Sequence, residues 1–193
     1  MAEIAPTELL DLFQRAQAQF TDRLDAVEPD QWEDEALPEW TVADLVAHVV
    51  TEMLWVPPLL AGEPYAEGRF PEGTSDLLGD DAFTSWEDAA DSALSAFAED
   101  DALVRTIHLE RGPTPAATYI EELIADLTVH TWDLARGIGA DTELSGELVT
   151  AALVVGERLP EDGVPGMFDP PIDTSPAASP QARLLARFGR RPV

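Results

Sequence analysis

Apolar residues recur at helical spacing through most of the chain. Leu9, Leu10, Phe13, Ala16, Phe20, Leu24 and Val27 make one stripe, with Pro6 where a first helical turn tolerates proline, so a first helix is predicted over 6–27. A polar, Trp-bearing connection follows over 29–40. Thr41-Val-Ala-Asp44 then reads as a capping box, in which the hydroxyl and the carboxylate each take a backbone N–H left free at a helix start. This second helix is expected to reach about Trp55, where Pro57 and Pro58 remove amide donors and end or kink it. Phe83, Trp86, Ala90, Leu94 and Phe97 give a third helix over 81–99, and 103–110 is a short β-rich segment before a turn at 111–115.

The fourth helix, from near Thr114 with Pro115 at its first position, carries a regular stripe: Ile120, Leu123, Ile124, Leu127, Thr131, Leu134 and Ile138, with Gly137 and Gly139 as a stop. Ser145 opens a fifth helix reaching Leu159, and a short helix is expected over 180–188. Residues 61–80 hold Gly, Pro and acids with no steady period, the composition of a long functional or mobile loop. Four long helices joined in this way predict an all-α four-helix bundle. With 193 residues the chain supplies one good core, so we expect a single domain over 1–193: a bundle over 6–159 and a Pro-rich tail with a short helix over 160–193.

Composition narrows the functional classes. A hydrophobic fraction of 45% and five Trp belong to a folded chain. The net charge of −27 repels phosphate backbones, which argues against nucleic-acid partners. No apolar run approaches the roughly 20 residues of a membrane span, and the N-terminus lacks the basic and apolar regions of a signal peptide, so a cytoplasmic protein away from membranes is expected. Cys is absent, which removes disulfides, thiolate metal ligands and cysteine nucleophiles. All basic residues are Arg, and Arg183, Arg187, Arg190 and Arg191 lie in the last eleven positions, so the basic tail is expected to dock back on the acidic body.

Two helices each present a carboxylate and an imidazole four residues apart. At about 100° per residue, Asp126 and His130 lie one turn apart beside the apolar stripe. On the second helix Glu52 and His48 repeat the arrangement, with Glu52 inside an apolar arc, where a carboxylate costs free energy unless paired or ligated. Metal sites in bundle cores are built this way, while satisfied core histidines give the same pattern at about even odds. His108, in the extended segment, reads as a non-ligand, and Asp133 as an anchor for an imidazole or a loop, or as a solvated carboxylate. Trp40, Trp55 and Trp132 read as packing residues. Residues 61–80 and 163–173, the latter with Met167 and Phe168, are alternative pocket walls or surface connections.

The segments Trp40-Thr-Val-Ala-Asp-Leu-Val-Ala-His48 and His130-Thr-Trp-Asp-Leu-Ala135 resemble the two signatures of the DinB-like metal-binding superfamily, in the actinobacterial branch related to the N-terminal domain of mycothiol-dependent maleylpyruvate isomerase. The ending SPQARLLARFGRRP is similar to the tail of that branch. The resemblance implies a four-helix bundle and a divalent metal, usually zinc or nickel, held here by His48, Asp126 and His130. The isomerase carries Glu where this chain has Asp126, and a further C-terminal domain where this chain has a short tail, so its reaction is not carried over. Three protein ligands leave an open position. The expected function is a metal-dependent enzyme that activates a mycothiol-like small thiol for transfer to, or isomerisation of, a small electrophile, with Glu52 as the catalytic proton acceptor or as a group orienting His48. The alternatives are a non-catalytic bundle binding metal or a small ligand, and a metal-hydroxide hydrolase. A monomer or a homodimer is equally compatible.

Overall fold

The computed structural model describes residues 5–71, 74–163, 170–175 and 177–191. Four helices close a ring around the main core: α1 (Pro6–Leu24), α2 (Val42–Leu60), α4 (Ala82–Phe97) and α5 (Ala116–Gly137). Helix α1 packs on α5, α5 on α2, α2 on α4, and α4 back on α1. The ring is filled by Phe13, Phe20, Leu45, Met53, Trp86 and Phe97, with Phe13 edge-on to Phe97 and Phe20 tilted against Trp86. Gln17 is a polar exception, and its amide donates to the Ala90 carbonyl at 2.9 Å, which satisfies a group that burial would otherwise penalise.

The bundle is therefore all-α, with two short antiparallel hairpins at its ends. One pairs β1 (Glu35–Leu37) with β2 (Trp40–Thr41) and leads into α2, inside the connection read as polar and Trp-bearing. Its Ala36 lies against Gly137, where a Cβ would stand 3.0 Å from the Ala36 Cα, so glycine permits the close approach. The other pairs β3 (Thr106–Leu109) with β4 (Gly112–Pro115). The segment read as a turn into the fourth helix is thus the second strand, and α5 starts at Ala116 with Pro115 as its cap.

Helix α2 does not end near Trp55. It runs through Pro57 and Pro58 to Leu60, because Pro58, Leu59 and Leu60 are buried and that packing outweighs the two missing backbone bonds. An 18-residue window of α2 has a mean hydropathy of 1.3, and the 19-residue helix is long and apolar enough by length and composition to cross a membrane. No such run was visible in the sequence because Asp44, His48 and Glu52 interrupt it, and 56% of the stretch is buried among its neighbours. Within 61–80 lies a short helix, α3 (Thr74–Leu78), fastened by buried Leu78 and by Thr74 Oγ1 donating to Asp44 at 2.8 Å.

Helix α6 (Gly146–Gly156) packs on α5, and α7 (Pro180–Arg187) packs on α6. Leu184, Leu185 and Phe188 join Val129, Trp132 and Ala152 in a second apolar cluster. The tail docks as its charge suggested: Arg187 donates to the carbonyls of Gly156 and Leu159.

Candidate metal centre

The cap of α2 sets the height of the site. Thr41 accepts from the Asp44 amide at 3.1 Å, and Asp44 accepts from the Thr41 amide at 3.0 Å. The Thr41 hydroxyl, donating to Asp44 Oδ2 at 2.7 Å, then the Thr41 amide and Thr74, hold the Asp44 carboxylate below its usual range. One turn on, His48 faces α5, where Asp126 and His130 stand four residues apart. His48 Nε2 lies 3.9 Å from Asp126 Oδ2, and His130 Nε2 lies 3.4 Å from Asp126 Oδ1. One donor atom from each of the three falls within 4.8 Å of the other two. The imidazole rings are 5.1 Å apart and nearly perpendicular. His130 is buried, while His48 and Asp126 are half-buried, so the cluster opens on one side.

Behind the cluster, His130 Nδ1 lies 3.0 Å from Asp133 Oδ2. With Asp133 ionised, Nδ1 carries the proton and donates, which leaves Nε2 to face Asp126 and His48. Asp133 is 0% exposed and would be costly alone. It accepts from Arg190 Nη2 at 2.9 Å, and Arg190 Nε lies 3.3 Å from both of its oxygens. The line from Arg190 through Asp133 and His130 to Asp126 joins the tail to the cluster.

Charges divide unequally among these groups. Burial holds the His48 imidazole down to about 4 against the attraction of Asp126. Burial also opposes a charge on His130, but Asp126 and the bonds to Asp126 and Asp133 outweigh it and push His130 up to about 9. Asp126 resists burial in the same way: His130 and His48 hold it down to about 2. At neutral pH the imidazole pair therefore carries one positive charge, placed on His130. Glu52, one turn beyond His48, behaves oppositely. Burial first, then Asp126, pushes it up to about 7. Its donor atoms do not belong to the cluster, and it makes no hydrogen bond or ion pair with any described residue.

The donor set could hold a divalent metal ion. Two imidazole nitrogens and one carboxylate oxygen converge, one imidazole is fixed by a buried carboxylate, and the cluster opens on one side. The cleft beside His48, about 610 Å³, is walled by Trp40, Trp55, Tyr65 and Phe70. Trp40 sits edge-on to His48 at 5.1 Å, and the Arg69 guanidinium lies over the rings of Trp55 and Phe70. Trp40 and Trp55 line the cleft, and Trp132 packs in the second apolar cluster with Arg136 over its face. The 61–80 segment supplies one wall of the cleft, while Met167 and Phe168 lie outside the described residues. His108 is exposed on β3, away from the cluster.

Residues 35–135, just over half of the chain, match the family described as mycothiol maleylpyruvate isomerase N-terminal domain. The chain belongs to this family. The matched span contains His48, Asp126, His130 and Asp133 and leaves Arg190 outside. Uncharacterized proteins from two strains of Mycobacterium tuberculosis are each 31% identical over 187 residues, spanning 93% of this chain and 96% of theirs. The crystal structure of the mycothiol-dependent maleylpyruvate isomerase superposes with a TM-score of 0.59 at 20% identity, covering 77% of this chain and 68% of the enzyme. A histidine-to-alanine mutant of that enzyme gives the same score at 19% identity. At this identity the likeness establishes the bundle fold.

Proposed function

We propose that this protein is a metal-dependent enzyme that activates a low-molecular-weight thiol, of the mycothiol type, for transfer to or isomerisation of a small electrophile. The observation that carries this reading is the convergence of His48, Asp126 and His130 beside an aromatic cleft. Family membership supports the choice of thiol. His48 and His130, through ring nitrogens, and Asp126, through a carboxylate oxygen, would hold the cation. When bound, a divalent cation supplies Lewis acidity that makes a neighbouring thiol acidic near neutral pH. The remaining work belongs to the chain. Asp133 keeps His130 in one tautomer. Trp40, Trp55, Tyr65 and Phe70 limit water at the cleft and offer apolar surface to a small molecule. Glu52, with a carboxyl near 7, has the affinity of a proton acceptor working at neutral pH and receives the thiol proton on its carboxylate.

Titrating a small thiol into cobalt-loaded protein tests the reading directly. A sulfur-to-cobalt charge-transfer band is expected. A loaded sample that shows no band would sink the thiol reading in favour of a non-catalytic or hydrolytic metal site.

The Glu52→Gln variant isolates the proton acceptor. It should retain its metal but add thiol to a test electrophile such as chlorodinitrobenzene about 10²-fold or more slowly. An unchanged rate with full metal content would remove Glu52 from the chemistry and leave the ligands as they are. Stability supplies a second readout in the metal-free protein. A carboxyl raised from 4.5 to about 7 by folding contributes nothing adverse below pH 4.5 and costs stability as pH rises through 7. Glu52→Gln should therefore unfold later than the parent above pH 7, by roughly 2–3 kcal/mol, and equally below pH 4.5.

A further inference from the structure

The tail helix ends with a guanidinium aimed at the buried side of the metal centre. Several features bring it there. Leu184, Leu185 and Phe188 anchor α7 in the second apolar cluster. Gly156 of α6 makes room: a Cβ there would stand 3.0 Å from Arg187 Cγ and 3.1 Å from the Phe188 ring. Gly189 then takes a φ of 76°, the left-handed turn that ends a helix, and the Arg190 amide closes onto the Leu185 carbonyl at 2.8 Å. The Arg190 side chain leaves this cap with Nη1 donating to the Phe188 carbonyl at 2.8 Å while Nη2 meets Asp133.

Asp133 is fully buried between two partners, the His130 ring and the Arg190 guanidinium, whose Nη2 lies 2.9 Å from it. A buried carboxylate needs such a cation beside it, and only the docked tail supplies a permanent one here.

We propose that Arg190 is a positioning residue of the metal centre: the docked tail carries its guanidinium to Asp133, which then holds the His130 ring where Nε2 meets Asp126 and His48. The proposal rests on reading those three residues as metal ligands. It makes metal affinity depend on a tail that lies outside the span matched by the family, and undocking that tail would release metal without touching a ligand.

Competition titration of zinc against a chromophoric chelator, on the full chain, tests this with wild type, Arg190→Ala, Asp133→Asn and the double variant. Arg190→Ala should bind zinc about 10-fold more weakly or worse, as partners of ligating histidines typically do when removed. Its cobalt-loaded visible spectrum should shift, and Arg190→Lys should recover part of the loss. Adding Arg190→Ala to Asp133→Asn should cost little more, because both act along one line. Additive losses overturn the proposal. So does an Arg190→Ala protein that melts earlier but keeps wild-type zinc affinity and cobalt spectrum, the mark of a tail that only stabilises. If Arg190→Ala does not fold, Arg190→Gln is read by the same criteria. Wild-type protein that binds no zinc overturns the ligand reading itself, whereas wild-type binding matched by Arg190→Ala overturns only the role of the tail.

Discussion

Replacing His48 by alanine is expected to yield a folded protein that no longer keeps a divalent metal through purification. Apparent binding free energies of small zinc sites run about 10–16 kcal/mol at neutral pH, spread over a few ligands. Losing one of three protein donors should then cost roughly 3–5 kcal/mol, or about 10² to 10⁴ in affinity. His48 is the informative ligand to remove because its side chain is 31% exposed and buries no hydrogen-bond partner of its own. The companion variant His130→Ala is less clean. His130 is 5% exposed, and its loss would open a void and take a partner from buried Asp133, so folding and ligation would fail together. Elemental analysis beside circular dichroism makes the check: helical content should match wild type while metal falls to background. Equal metal in the two proteins would refute the site.

Helical period located α1, α4 and α5 to within a few residues, because each buries one continuous stripe in the ring. The capping box at Thr41 and Asp44 is a local device and is present as read. Local signals failed where packing decided. Pro57 and Pro58 carry a strong stop signal, yet buried Leu59 and Leu60 hold the helix past it. The β1–β2 hairpin has only five residues in its strands, with a bulge in its register, too short for alternation to appear. In the site, His48, Asp126 and His130 were legible because four-residue spacing puts groups on one helical face, and two such faces met. Asp133 remained ambiguous, since a carboxylate three residues after a histidine looks the same solvated or buried. Arg190 lies 57 residues from Asp133, and nothing local ties the two. The one available signal was a cluster of Arg on a chain of net charge −27, which implied docking but not the address.

The charge division in the cluster leads to the steepest expected effect, the pH dependence of metal binding. Without metal, Asp126 is ionised above about 2 and His48 is neutral above about 4, so neither resists a cation between pH 5 and 7. His130 does resist, because it holds its proton up to about 9, and that proton must leave Nε2 before the nitrogen can ligate. His130 by itself should therefore make affinity rise roughly tenfold per pH unit in this window, with about one proton released per metal. Glu52, half-protonated near 7, adds a further fraction when a cation arrives beside it, so wild type should release between one and two protons at pH 6. Glu52→Gln should release one. Calorimetry in buffers of differing ionisation enthalpy counts these protons, and a count of zero in Glu52→Gln would show that no proton leaves His130. Stability of the metal-free fold runs with the opposite sign. A histidine raised from 6.5 to about 9 stabilises fully below pH 6.5, and that contribution is lost as pH climbs through 9. A divalent cation held by His130 and Asp126 would take over the role of this proton. Melting temperature with zinc present should therefore hold or rise across pH 7 to 9, where the metal-free protein loses ground.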